Sequence, residues 1–395
     1  MEKENIVIVA GCRTGIGSFG GSLKDYEASD LGGIVIKEAI HRASLEPADI
    51  DEVVFGCVGQ AAENAFAARL ASVKAGIPYS ATALTVNRLC SSGMQAIVTA
   101  AQELRDGMCT IAVAGGCESM SNIPFYLRKA RFGYRMGHNE LEDGLITALS
   151  DPFTRFHMGI TAENVAREYH VTREEQDRWA LISQTRATAA QAAGKFKEEI
   201  IPIEVKASKK ETRLFQEDEY IRPNATLEGL AKLRPAFKEG GTVTAGNAAG
   251  INDGAAAVVL MTEAKACELG LKPLVRMVDV AVAGVDPMLM GIGPIPAMEK
   301  LMKKTGVTKE DIGLIELNEA FASQSVACIR ELGLDEEIVN VNGSGIAMGH
   351  PIGATGCIIT IKLISEMRRR NVRYGVATLC IGGGQGMAVM WELCQ

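Results

Sequence analysis

Residues 90–104 read CSSGMQAIVTAAQEL, and residues 353–367 read GATGCIITIKLISEM. In the first, a small-residue start gives way to Met94, Ile97, Ala101 and Leu104, apolar residues at helical spacing on an Ala-rich background. The second has the same texture, with Gly356 standing where the first has Gly93. Working outward, LEPADIDEVVFG (45–56) has a counterpart in VTKEDIGLIELNEA (307–320), and the offset from Asp49-Ile50 to Asp311-Ile312 nearly equals that from Gly93 to Gly356. Each helix is followed by an apolar strand and a glycine cluster, TIAVAGGCES (110–119) and GVATLCIGGGQG (375–386). Nearly equal offsets predict a duplicated α/β unit with ligands at the strand-to-helix ends.

Composition frames the duplication. A chain of 395 residues exceeds the size at which a single core stops growing, so two or three domains are expected. Its 47% apolar and 23% charged residues are those of an ordinary globular protein. A net charge of −7 argues against nucleic-acid and anionic-membrane partners, while leaving room for a local basic patch. No stretch is apolar enough to span a bilayer. The start, MEKENIVIVAGCRTG, enters a strand too soon for a signal peptide, and the ending ELCQ is neither a prenylation nor a peroxisomal signal. Ten cysteines without a C-x-x-C rhythm suit a reducing, cytosol-like compartment, and five histidines offer little to structural zinc.

Between the halves, roughly 120–250, the texture changes. FYLRKARFGYRMGHNELEDG (125–144) has no clear period and is expected to run over the surface as a long functional excursion. TAENVAREYHVTREEQDRWALISQTRATAAQAAGKF (161–196) predicts two amphipathic helices with Thr161 and Thr172 as N-caps. The mixed charges of 209–241 are expected on a solvated face.

Several residues are candidates for chemistry. In NRLCSSGMQAI (87–97), Cys90 follows the strand ATALTV at the junction with a helix. Such a thiol is either a small buried apolar residue or a thiolate, held below the usual pKa of about 8.5 by first-turn N–H groups and the helix dipole. In GSGIAMGHPIGATG (343–356), glycines flank His350 and a helix is expected near Ile352. LCIGGGQG (379–386) puts Cys380 at a strand end. ELNEAFA (316–322) sets Asn318 and Glu319 at another, where an N-cap is the plainer role for Asn318. TVTAGNAAGINDGAAAVVLM (242–261) leads through glycines and alanines into a further strand.

In order and spacing, these motifs resemble the thiolase family along essentially the whole chain, together with RTGIGSFGGSLKD, AGGCESMSNIP, HMGITAENVA and DEYIRPNATLEGLAKLRPAF. Ketoacyl synthases resemble it less, since they lack a thiol at the position of Cys380. The resemblance implies an α/β thiolase fold: duplicated βαβαβαββ halves, layered α-β-α-β-α, with an inserted loop domain. One core half would be 1–119 with 251–271, the loop domain over the coenzyme A site 120–250, and the other half 272–395. It makes Cys90 the nucleophile that takes the acyl group, His350 the base that activates it, and Cys380 the thiol that removes an α-proton. An imidazole near neutrality suits that base. Asn318, with His350, would serve one oxyanion hole, and the N–H groups of Cys90 and Gly382 the other.

The pantetheine arm of coenzyme A would pass His157, Met158, Ala245, Ala249, Ile251, Met290 and Phe321, with Arg222 near the nucleotide; core packing is the plainer role for Met290 and Phe321. The implied partners are acetyl-CoA, acetoacetyl-CoA and CoA, with no metal and no other cofactor, in a cytoplasmic homotetramer built as a dimer of dimers. HMG at 157–159 resembles the short-chain type, which implies acetyl-CoA C-acetyltransferase activity, the reversible condensation of two acetyl-CoA. A broader 3-ketoacyl-CoA thiolase is the alternative. A silent acyl-CoA-binding protein and a Cys–His hydrolase fit the set Cys90, Asn318, His350 and Cys380 less well. Three positions depart from the family pattern: Ala249 for a Ser, Ser344 for the first Gly of a usual pair, and Gly15 for a Pro.

Overall fold

A computed structural model describes residues 4–208 and 210–394; parts of both chain ends quoted above therefore lie outside the described residues. The first half contributes strands β1 (Ile6–Thr14), β2 (Glu52–Gly56), β3 (Thr82–Val86), β4 (Ile111–Ser119) and β5 (Asn252–Thr262). The second contributes β6 (Val275–Gly284), β7 (Ile312–Leu317), β8 (Tyr374–Ile381) and β9 (Gln385–Leu393). Their order across the sheet is β7-β8-β9-β6-β1-β5-β4-β2-β3. That order is symmetric about the β6·β1 join, which rests on Val7↔Arg276 and Ile8↔Val275 alone. In each half two or three parallel strands are flanked by an antiparallel pair. The third parallel strand of the second half shrinks to one bridge, Ile315↔Val339.

The main helices are α1 (Ala28–Arg42), α2 (Ala67–Lys74), α3 (Ser92–Arg105), α4 (Met158–Glu168), α5 (Arg173–Ala192), α6 (Pro294–Thr305), α7 (Ala322–Leu332) and α8 (Thr355–Arg370). Strand alternation sorts them into layers. On β4, Ala112 and Ala114 face a core shared with α3 and α8, while Ile111 and Val113 face α1 and α2. On β8, Ala377 and Leu379 face the same central core, and Val376 faces α6 and α7. The duplicated helices α3 and α8 are thus the middle layer, and this is why each needs its glycine. A Cβ on Gly93 would lie 3.0 Å from Ala354 O, and one on Gly356 only 2.4 Å from Met94 N.

The segment between β4 and β5 carries α4 and α5. Thr172 caps α5 in a reciprocal capping box with Glu175. Thr161 does not cap α4: the helix starts earlier, with His157 Nδ1 accepting from Gly159 N, and the Thr161 hydroxyl turns back to Met158 O. Residues 125–141 are largely exposed, as expected of a surface excursion. The 209–241 segment is not solvated throughout. Its Asp218 pairs with the fully buried Arg13 guanidinium, which also meets Glu199. Removing one member of such a set leaves a buried charge uncompensated, at about 3–5 kcal/mol. Next to Arg13, Gly15 is approached so closely that a Cβ would lie 2.6 Å from Glu217 O.

Candidate active site

The turn that carries Cys90 is built by its neighbours. Leu89 has φ +45°, a left-handed conformation that a branched side chain adopts only under constraint. Asn87 Oδ1 accepts from Leu89 N, Ser92 Oγ accepts from Arg88 N, and the Ser91 and Ser92 hydroxyls donate to Arg88 O and Leu89 O. The two serines after the cysteine therefore hold the bend. Ser91 is the N-cap of α3, so Cys90 stands one residue before it.

The half-buried thiol is not a helix-stabilised thiolate. Burial, the largest effect, lifts its pKa, and the Glu118 carboxylate adds to the rise. The N–H groups that oppose this are those of Gly382 and of Cys90 itself, rather than the first turn of α3. The expected lowering is thereby overturned, and Cys90 rests as a protonated thiol that needs a base.

His350 sits at the foot of the same site, 6% exposed. Its Nδ1 lies 2.7 Å from Thr355 Oγ1, and the Thr355 hydroxyl donates to Pro351 O at 2.9 Å. With its one hydrogen committed, Thr355 accepts from His350 Nδ1–H, which leaves the lone pair on Nε2. Asn318 Nδ2 approaches that Nε2 at 3.5 Å, and the N-cap of α7 is Phe321 rather than Asn318. Asn252 Oδ1 holds the His350 backbone N–H at 3.0 Å. Burial pushes the imidazole down to about 4, well below the neutrality expected of it. The helix expected near Ile352 begins at Thr355, leaving Pro351–Ala354 as the turn that delivers His350 to the site.

Cys380, near the end of β8, is fully buried, and burial pushes its thiol far up, with Cys90 and Cys328 adding to the rise. After it the chain turns through Gly383 and Gly384, at φ +79° and +86°. A Cβ on Gly382 would lie 2.7 Å from Met158 Cε and 3.2 Å from Leu89 Cδ1, so a larger residue would press on these two side chains beside the N–H that meets the Cys90 sulfur.

A cavity of about 460 Å³ opens from this point, with Leu89, Cys90, His350 and Gly382 among its lining residues. His157, Met158, Ala245, Ala249, Ile251, Met290 and Phe321 line it too, so Met290 and Phe321 are both buried and cavity-forming. His157 stacks on Phe237 with ring centroids 4.7 Å apart. Cys380 packs among Met158, Ala248, Met290 and Phe321 just behind the wall. Arg222 is not in the lining; it is exposed and lies over the ring of Tyr220, which is.

Three residues escaped the sequence reasoning. Thr355 and Asn252 fix the tautomer and backbone of His350. Glu118 accepts from the backbone N–H groups of Val58, Gly59 and Gly353, and burial pushes it up to about 7. Its only sequence signal is a carboxylate at an apolar strand end in AGGCES. Among the described residues no cluster of three His, Cys, Asp or Glu is placed to hold a metal, and no helix is long and apolar enough to cross a membrane.

Comparison with known proteins agrees with this geometry. The family model for the thiolase N-terminal domain matches residues 6–264, and that for the thiolase C-terminal domain matches residues 271–393. The beta-ketothiolase BktB of Cupriavidus necator is 51% identical, with 98% of both chains covered. The acetyl-CoA acetyltransferase of Rhizobium meliloti is also 51% identical, covering 99% of this chain and 100% of that one. The crystal structure of human mitochondrial 3-ketoacyl-CoA thiolase in complex with CoA superposes with a TM-score of 0.95 at 45% identity, covering 99% and 98% of the two chains. The chain belongs to the thiolase family.

Proposed function

We propose that this thiolase is an acetyl-CoA C-acetyltransferase that works through an acetyl-cysteine on Cys90. The observation that carries this is the convergence, at one end of an apolar cavity, of the Cys90 thiol, the Gly382 N–H and a neutral His350 whose Nε2 lone pair is fixed by Thr355. His350 Nε2 takes the thiol proton as the sulfur attacks the thioester carbonyl of acetyl-CoA. The N–H groups of Cys90 and Gly382 hold the developing oxyanion, and CoA leaves with the proton of the Cys380 thiol. A second acetyl-CoA then loses a Cα proton to the Cys380 thiolate so formed, and its carbanion attacks the acetyl group on Cys90. Acetoacetyl-CoA forms, and the released Cys90 sulfur recovers its proton from His350. The oxyanion of this second thioester is held by His350 together with Asn318.

The opposed shifts of the two partners suit such a cycle. A raised thiol and a lowered imidazole keep the resting pair neutral, so the ion pair forms only as the carbonyl carbon is attacked. The apolar cavity takes the pantetheine arm, and Arg222, exposed beside Tyr220, takes the nucleotide end. Residues 1–119 with 251–271 and 272–395 form the two core halves, and 120–250 is the domain that covers CoA. Exposed Phe125, Phe132 and Met136 in that domain support self-association into a tetramer, a dimer of dimers. Ten free cysteines support a cytoplasmic location.

Mixing the protein with acetyl-CoA should release a burst of free CoA stoichiometric with Cys90; a passive acyl-CoA binder gives none. The 51% identical beta-ketothiolase favours a second reading, a wider acyl range. Thiolysis of acetoacetyl-CoA far faster than of a longer 3-ketoacyl-CoA supports the acetyl-specific assignment, and equal rates support the wider one.

A further inference from the structure

Behind Asn318, away from the substrate cavity, lies a small internal void bordered by Asn318, Ser344, Gly345, Thr355 and Lys362, all buried. It offers about 10 Å³ to the centre of a water-sized sphere, close to the least that holds one water. Among the described residues, two buried polar atoms here find no partner in the protein, Asn318 Oδ1 and Ser344 Oγ. Asn318 Oδ1 points toward Gly345: a Cβ built there would lie 2.9 Å from it. Lys362 Nζ donates to Glu316 Oε2 and Gly343 O, leaving the third of its three N–H groups for the void.

We propose that Ser344 is a positioning residue for Asn318, acting through one buried water that bridges Ser344 Oγ, Lys362 Nζ and Asn318 Oδ1. The water accepts from Lys362 Nζ, donates to Asn318 Oδ1, and shares its remaining bond with Ser344. An amide has two faces of nearly equal shape, so sterics alone leave Asn318 free to turn over. Anchoring Oδ1 in the void keeps Nδ2 on the side of His350 Nε2, where a donor is required because Thr355 leaves the lone pair there. The turned amide would set Oδ1 against that lone pair. The ammonium of Lys362, relayed by the water, also polarises the amide and strengthens Nδ2 as a donor.

Ser344 is well held for this task. Its backbone N–H donates to Ser183 Oγ, and that hydroxyl donates to Glu319 Oε2, on the residue next to Asn318. Gly345 contributes by carrying no side chain, which leaves Oδ1 open to the water.

The proposal rests on the role given to Asn318 in the reaction, and a double-mutant cycle separates the two. Ser344→Ala, Asn318→Ala and the double variant are compared by kcat and KM for thiolysis of acetoacetyl-CoA. Ser344→Ala should lower kcat by about three- to tenfold, the worth of one net hydrogen bond, with KM unchanged. In the Asn318→Ala background the same change should have no further effect. An equal factor in both backgrounds overturns the proposal, because a merely structural serine would act independently of Asn318. Full kcat in Ser344→Ala overturns it as well. Full kcat in Asn318→Ala is the distinct outcome that removes the role of Asn318, and the proposal with it. A crystal structure of the unaltered protein should show a water within hydrogen-bonding distance of both Ser344 Oγ and Asn318 Oδ1; a dry void is a further refutation.

Discussion

Replacing Thr355 with valine keeps the shape of the side chain and deletes the only acceptor at His350 Nδ1 among the described residues. The Nδ1–H tautomer then carries a buried donor with no partner, at a cost of about 1–3 kcal/mol. The imidazole responds by moving its proton to Nε2, which cannot take a proton from Cys90. A factor of ten accompanies each 1.36 kcal/mol, so the competent fraction, and kcat with it, should fall roughly 5- to 150-fold. KM should change little, because Thr355 lies outside the lining of the substrate cavity. Thr355→Ser retains a hydroxyl and should keep most of the turnover, which separates the hydrogen bond from packing. Steady-state thiolysis gives kcat and KM, and ¹⁵N chemical shifts of the imidazole report the tautomer. Undiminished turnover in Thr355→Val, with the proton still on Nδ1, would refute the assignment of His350 as a base oriented by Thr355.

The two active-site thiols should divide the work. Cys90→Ser should abolish acetyl incorporation from labelled acetyl-CoA, whereas Cys380→Ser should still acetylate Cys90 but lose α-hydrogen exchange and carbon–carbon bond formation; label on another cysteine, or equal loss of both half-reactions, contradicts this. Ala249 lines the cavity, so Ala249→Ser should add one hydrogen bond to the pantetheine and lower KM a few-fold at constant kcat, in keeping with about 0.5–1.5 kcal/mol per net bond. A change in kcat alone would place Ala249 away from that arm. His350 should give stability a pH dependence. Its folded pKa of about 4 lies below the unfolded value of about 6.5, so the unfolded chain binds the extra proton between those values and stability falls with falling pH, by about 3 kcal/mol across the window. Glu118 and Glu316, pushed up to about 7, run the opposite way. Urea midpoints of the wild type minus those of His350→Asn, measured from pH 7 to 4, isolate the histidine; a flat difference would contradict its burial as a neutral ring.

What the sequence determined by itself is local or periodic. Short apolar runs marked the strands around Cys90 and Cys380, helical spacing marked the helix after Cys90, and the recurring offset of Gly93 and Gly356 announced two copies of one unit. The glycines were legible because only backbone crowding demands them, and the crossing of α3 and α8 supplies that crowding. Cys90, Asn318 and Cys380 stood out as distinctive side chains at strand ends and His350 as an imidazole among glycines, while the roles given to them came from the family resemblance. Tertiary structure decided their protonation. Desolvation depends on every atom packed around a group, from segments far apart in the chain, so the helix dipole predicted a lowered thiol where burial raises it. The same holds for Thr355 and Ser344, plain hydroxyls in sequence, whose tasks exist only where the fold sets a buried imidazole and a buried amide against them.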